Sequence, residues 1–371
     1  MIKCQVVMNA LDKAAPRHLA ESWDTIGLMV GSPAQTVEKI FVCLDISEET
    51  VGQAIAKGCD MMVSHHPLFF KPLKNIRTDL PQGKLLQKII QADMSVFSAH
   101  TNLDIAAGGV NDVLAARIGL QNTKDFVVTQ EEALLKLVVF VPKAQAELVK
   151  RALGRAGAGQ IGQYEDCMFS VPGTGQFLPM EGSQPFCGTK GKLEIVEEIR
   201  IETVFPAARQ KQIVRELLAV HPYEEPAYDL YPLKNTGEIF SLGRIGELPE
   251  ALTVEAFAEA VKKALPSKSL RYVSAGARRI KRVALCSGSG AEFISKAAFM
   301  GADVYVTGDV RYHEAQKARE SGMHLIDAGH FGTEMPVVNV LAAYLQKESQ
   351  AGGWNVEVYA DTCSEDIFQS L

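Results

Sequence analysis

Two histidines stand side by side where a short apolar run ends, in Met61-Met62-Val63-Ser64-His65-His66-Pro67. A second run closes with Ser98-Ala99-His100-Thr101-Asn102-Leu103-Asp104, and a distant third with Asp327-Ala328-Gly329-His330-Phe331-Gly332-Thr333-Glu334. Imidazoles and carboxylates without thiolate suit Zn²⁺, and also Fe²⁺, Mn²⁺ or Co²⁺. His65, His66, Asp104, His330 and Glu334 are the expected donors, and two ions are served if a carboxylate bridges them. Adjacent histidines diverge on an extended strand, but a turn at Pro67 can aim both inward. His330 and Glu334 face one site if a helix begins near Gly332; a loop can also present them.

Blander readings compete with this one. The His65-His66 pair can be a satisfied core or surface pair, and His330 with Glu334 can be a capping or ion-pair arrangement. His100, Asp309 and His313 can orient a ligand, and His100 or His313 can act as acid or base; structural hydrogen bonds are an equal reading. Ser287-Gly288-Ser289-Gly290 offers amides to an anion but lacks a full dinucleotide fingerprint and a Walker lysine, so a tight turn is preferred. His221-Pro222-Tyr223-Glu224-Glu225-Pro226 reads first as a loop shaped by its prolines, and Trp23-Asp24-Thr25-Ile26-Gly27 as a packed turn near the site mouth.

The elements that position these groups repeat. Lys39 to His66 aligns without a gap on Arg282 to Asp309, at a constant offset, with Cys43 on Cys286, Gly58 on Gly301 and Asp60 on Asp303. Each copy reads as strand, helix, strand, and each is followed by another helix and strand: Lys84 to Ala92 with Met94 to Ala99, and Tyr312 to Glu320 with Met323 to Asp327. The expectation is an α/β fold of two pseudo-repeated halves with mostly parallel sheets, whose C-terminal strand edges gather ligands. Between the halves, strands are expected at Leu135 to Val141, Glu165 to Val171, Leu193 to Val204 and Ala227 to Tyr231. Helices are expected at Ala144 to Ala156 and Ala207 to Val220. That order is a split-βαβ, ferredoxin-like α+β unit, with a Gly- and Pro-rich loop or hairpin at Pro172 to Lys192. The expected domains are 1–125, an inserted 126–234, and 235–371.

The 371 residues carry a net charge of −6, which argues against a nucleic-acid binder unless a basic patch hides under the average. The N-terminal Met1-Ile2-Lys3-Cys4-Gln5 lacks a secretory pattern, and no apolar run is long enough to span a bilayer. Seven scattered cysteines form no CxxC, which suits a reducing, cytoplasmic compartment.

Taken in order, these motifs resemble the Nif-three-like, or GTP cyclohydrolase 1 type 2 homologue, family of dinuclear metal centre proteins. The resemblance covers essentially the whole chain. It rests on Glu21-Ser22-Trp23-Asp24, Gly27-Leu28, Ser64-His65-His66-Pro67-Leu68, His100 to Asp104, Gly288-Ser289-Gly290, Thr307-Gly308-Asp309, and Gly329-His330 with Glu334. Thr25 departs from the asparagine usual there, which removes any inherited polar role at that position. Gly175-Gln176-Phe177 and His221 to Pro226 resemble the PII-like, CutA-like module of the longer bacterial members.

The resemblance implies two metal ions on the five donors, and a homohexamer of two stacked trimers enclosing a cavity. It also implies a metal-dependent hydrolase of a nucleotide or similar small molecule, GTP ring opening being the activity proposed for the family. There, activated water would attack the imidazole carbon of guanine while His100 or His313 moves protons. The rival expectation is a non-catalytic, metal-dependent binding or regulatory toroid.

Overall fold

The computed structural model describes residues 1–369. The chain forms two compact units, one from 1–130 with 240–371 and the other from 131–239. It passes between them inside two long strands, Gln121–Pro142 and Tyr228–Leu252. The borders therefore fall five residues beyond 126 and 234, and both halves of the repeat belong to one unit.

In the larger unit, three parallel strands, Lys39–Cys43, Met61–Ser64 and Ser95–Ser98, form the middle of a sheet. Glu357–Ala360 adds in parallel on one side and Gly27–Val30 antiparallel on the other. The second repeat builds the same core from Ile280–Leu285, Val304–Thr307 and His324–Asp327, with Arg271–Val273 antiparallel at its edge. Apolar side chains alternate faces as strands require. Ile40, Val42, Met61 and Val63 enter one core cluster, while Phe41, Cys43 and Met62 enter another. The aligned Val283, Leu285, Val304 and Val306 divide from Ala284, Cys286 and Tyr305 in the same way. The repeat is thus three-dimensional, face by face. Each large side chain so buried, Phe41 for example, contributes on the order of 2–3 kcal/mol.

Local chemistry repeats too. Ser47 caps the helix Glu48–Ala56 through a reciprocal bond set with Thr50. The chain then turns at Gly58 (φ 66°), as it does at the aligned Gly301 (φ 74°), a left-handed conformation that disfavours any other residue. Asp60 Oδ2 accepts the amides of Glu38 and Lys39 at 2.8 and 2.9 Å; Asp303 Oδ2 accepts those of Lys281 and Arg282 at 2.9 and 2.8 Å. Each carboxylate ties the start of one strand to the start of the next. Asp303→Ala is expected to cost about 2–3 kcal/mol, because two charge-assisted bonds to part-buried backbone amides are lost together. A denaturant midpoint unchanged from the parent would refute this.

The smaller unit runs strand 131–142, helix Ala146–Arg155, strand Met168–Phe177, strand Glu194–Pro206, helix Gln210–Val220 and strand 228–239, the β-α-β-β-α-β order expected. Its strands lie in the order last, first, third, second. Leu137, Val139 and Val141 pack with Val149, Leu153, Ile213 and Leu217 of the two helices. Two expectations fail at prolines. The strand expected to stop at Tyr231, before Pro232, runs on through it, and Pro172, expected to open the loop, lies inside a strand. Pro172 sits on an edge strand paired on one side only, where a missing N–H costs no ladder bond on the open side. The Gly- and Pro-rich connection is accordingly shorter, 178–193. Among the described residues, no helix is long and apolar enough to cross a membrane.

Candidate metal centre

The C-terminal edges of both parallel strand sets deliver the donors. His65 and His66 follow Met61–Ser64, and Asp104 lies on the short helix Thr101–Ile105 after Ser95–Ser98. His330 and Glu334 open and close the helical turn His330–Glu334 after His324–Asp327, so a helix rather than a loop presents them. Three overlapping sets result, each with its ligand atoms within 4.8 Å of one another: His66, His330 and Glu334; His65, Asp104 and Glu334; and His65, His66 and His100. Glu334 belongs to two of them. Its Oε2 lies 2.9 Å from His66 Nε2, 3.1 Å from His330 Nε2 and 3.9 Å from His65 Nε2.

Every imidazole here is held from behind. His65 Nδ1 donates to the Ala99 carbonyl at 2.9 Å, His66 Nδ1 to Asp45 at 2.7 Å, His330 Nδ1 to Asp309 at 2.7 Å and His100 Nδ1 to Asp24 at 2.9 Å. An oxygen acceptor on Nδ1 selects the tautomer with a free Nε2 lone pair, the form a metal ligand needs. Buried His65 Nε2 has no hydrogen-bond partner. A buried orphan lone pair between two carboxylates is expensive unless a cation meets it, so these residues fit divalent ions.

Charge follows the same arrangement. Burial opposes ionisation of Glu334, but His330 and His66 bonded to it and the nearby His65 imidazole outweigh it and hold the carboxyl well below its usual range. Burial, with Glu334 close by, pushes Asp104 up. His66 is raised to about 10 and His330 to about 9, burial being outweighed by Asp45 and Glu334 for the first and by Glu334 and Asp309 for the second. Metal must displace these protons. Zn²⁺ added to metal-free protein at pH 7.5 in weak buffer is expected to release about two protons per chain from this pair. Because both values are raised, their stabilisation of the metal-free fold is complete below pH 6.5 and lost as pH rises through about 9 and about 10. Metal-free thermal midpoints that do not fall between pH 7 and 10 would contradict it.

Gly288 explains the Ser287-Gly288-Ser289-Gly290 segment. A Cβ at Gly288 (φ 58°) would lie 2.2 Å from Glu334 Oε1 and 3.3 Å from His330 Nε2. The segment is a wall of the site. Its amides are already used: Ser287 N–H by Asn111, Gly288 N–H by Thr333 and Gly290 N–H by Thr307, which removes most of its capacity for an anion.

The structure brings His65, His66, Asp104, His330, Glu334 and His100 together. It does not bring in His313, which is exposed on the helix Tyr312–Glu320 with its Nδ1 3.5 Å from Gln316 Oε1. Asp309 is found behind His330, and Asp24 behind His100. Asp45 escaped the sequence reading altogether; a carboxylate two residues past the strand Lys39–Cys43, at the edge that carries the donors, was the available signal. Asp45→Ala is expected to weaken metal binding about 10–100-fold without moving a donor. Competition with a chromophoric chelator reads this directly, and equal affinities would show that Asp45 is dispensable.

Known proteins resemble this chain along its length. The sequence profile of Duf34/NIF3 (NGG1p interacting factor 3) matches residues 2–366. Proteins named GTP cyclohydrolase 1 type 2 homolog are 41% identical in Halalkalibacterium halodurans, over 98% of both chains, and 41% in Bacillus subtilis, over 89% of both. Among solved structures, a Bacillus cereus protein related to NIF3 superposes with a TM-score of 0.93 at 43% identity, covering 100% of this chain and 99% of that one. A Staphylococcus aureus protein gives 0.82 at 32%, again over 100% and 99%. With profile, sequence and fold matched from end to end, the chain belongs to the DUF34/NIF3 family.

Proposed function

We propose that this protein is a dinuclear metal-dependent hydrolase of a small molecule. The observation that carries the reading is a shared carboxylate, Glu334, between His66 and His330 on one side and His65 and Asp104 on the other, with a further oriented imidazole, His100, that neither set requires. Zinc is the first choice of metal, with iron, manganese and cobalt as alternatives. When bound, two such ions would supply Lewis acidity and bring the pKa of water toward neutrality.

The chain's own residues do the rest. Asp24 holds His100 so that Nε2 faces the cluster, where it can take a proton from water and pass it to a leaving group. Thr101 fixes Asp24 in turn, through its amide at 3.0 Å and its hydroxyl at 2.5 Å. His313 has no part in this scheme.

The surroundings bear on the substrate. A cavity of about 990 Å³ beside His66 and His330 is lined by Asp45, Glu49, Asp309, Asp327, Glu365 and Asp366. Among the described residues its lining holds one guanidinium, Arg271, which pairs with Asp327. Asp45, Asp104, Asp309 and Glu334 already balance two divalent ions, which leaves the cavity acidic. This favours a substrate of low negative charge over a nucleoside triphosphate, so GTP ring opening is the less favoured reaction here. The test is hydrolysis by the metal-loaded full chain, assayed against GTP, other nucleotides, phosphodiesters, and neutral amides and esters. The expected result is metal-dependent turnover on uncharged substrates. No turnover on any of them at full metal loading would favour the binding or regulatory reading instead.

The family resemblance also supports a homohexamer and a PII-like, ferredoxin-like identity for 131–239, whose β-α-β-β-α-β order suits it. Sedimentation of the purified chain reads the first.

A further inference from the structure

The unit formed by 131–239 contains an open cavity of about 930 Å³, and none of its lining residues is a metal donor. Two segments prominent in the sequence converge on it: Gly175, Gln176 and Phe177 from one, and Tyr223, Glu224 and Glu225 from the other.

Glu198 stands in its wall, only 8% exposed, on the strand Glu194–Pro206. Its Oε1 accepts the Tyr223 hydroxyl at 2.8 Å. Its Oε2 takes the place a Cβ at Gly175 would need, 2.1 Å from that position, so the glycine is what lets the carboxylate stand in the wall. Tyr223 is itself fixed, its amide donating to His221 Nδ1 at 3.1 Å while His221 Nε2 donates to the Phe140 carbonyl at 3.0 Å. Phe177 and Phe186 stand 5.8 and 6.3 Å from the Tyr223 ring.

The charge balance points one way. Glu181, Glu198, Glu224 and Glu225 line the cavity against a single guanidinium, Arg200. Arg200 is already engaged, with Nε donating to Glu202 at 3.0 Å and its guanidinium carbon 5.9 Å from the Phe140 ring centre. An anion would meet four carboxylates, and a neutral apolar guest would leave the buried charge of Glu198 without a counterpart. Aromatic faces beside a buried carboxylate are the composition that receives an organic cation. We propose that this cavity binds a small organic cation, an ammonium or guanidinium on an apolar body, with Glu198 as its counter-ion and Tyr223, Phe177 and Phe186 as its aromatic cage.

The test is calorimetric titration of the full chain with three probes of one shape: 2-phenylethylamine, 2-phenylethanol and phenylacetate. The amine is expected to bind at least about tenfold more tightly than the alcohol, and phenylacetate not at all. Glu198→Gln should erase the preference for the amine while leaving metal content unchanged. Gly175→Ala, whose methyl would collide with Oε2 and push the carboxylate aside, is a second variant should the first fold poorly; it should weaken the amine at least about tenfold. Equal binding of amine and alcohol, failure of the amine to bind, or a crystal soaked with the amine in which another copy of the chain fills the cavity would each overturn the proposal.

Discussion

Glu334→Gln is expected to empty both metal positions at once. Its carboxylate is the one donor common to the His66–His330 and His65–Asp104 sets, and it lies buried between the imidazoles. The amide has a similar shape but no charge, and offers one oxygen in place of two acceptors. Affinity at both positions should fall by more than the roughly 10–100-fold typical of losing an outer hydrogen-bond partner. The metal-free protein should also lose about 3 kcal/mol, since the charge that matches the raised imidazoles is gone. Elemental analysis after dialysis, alongside thermal unfolding, measures both effects. Two ions retained at parental affinity would rule out the shared-carboxylate arrangement.

Asp24→Asn should have the opposite profile, with metals kept and turnover lost. The Asp24 side chain is 1% exposed and accepts four hydrogen bonds, from the Thr25 amide, His100 Nδ1, the Thr101 amide and the Thr101 hydroxyl. An asparagine amide facing His100 would donate where Asp24 accepts, turning the imidazole to the tautomer with its proton on the cluster side. Loss of tautomer control of this kind lowers kcat by ~10²–10⁴-fold. Imidazole ¹⁵N shifts report the tautomer whatever the substrate; an unchanged His100 spectrum would refute this role for Asp24.

Acid adds a second reading of the same carboxyl. Burial pushes it up, yet the bonds from His100 and Thr101 prevail and hold it at about 2. Its stabilisation, about 2 kcal/mol, is therefore present above the ordinary carboxyl value near 3.8 and lost as pH falls through about 2. The asparagine variant should lack that acid-sensitive component.

Much of the centre was legible because strand edges are local. An apolar run followed by His65-His66, or by His100 and Asp104, marks both the strand and the side on which its residues emerge. The repeat was legible because Gly58 and Gly301, or Asp60 and Asp303, answer to backbone requirements that recur. Asp24 was harder to place, since its partner His100 lies on another element and nothing in Trp23-Asp24-Thr25 announces that contact. Asp45 carried only its place just past a strand end. The unit borders were hidden for another reason: five polar residues, Gln121 to Asp125, precede Phe126-Val127-Val128, and nothing there shows that one strand runs on to Pro142. Pro232 misled because a proline is weighed locally, whereas its cost depends on which edge of a sheet it occupies.

The separation of His66 from Glu334 along the chain has a bearing on synthesis and folding. A chain still emerging from a ribosome holds His65, His66 and Asp104 long before the second repeat exists, and so exposes an incomplete chelator. Completion requires closing a loop of 268 residues, a long-range contact whose entropy must be met before any ion can reward it. The two sets that share Glu334 are therefore completed late, when the fold is finished. A chain cut anywhere between the repeats before they dock would lack both sets that need Glu334 and keep only the His65, His66 and His100 set.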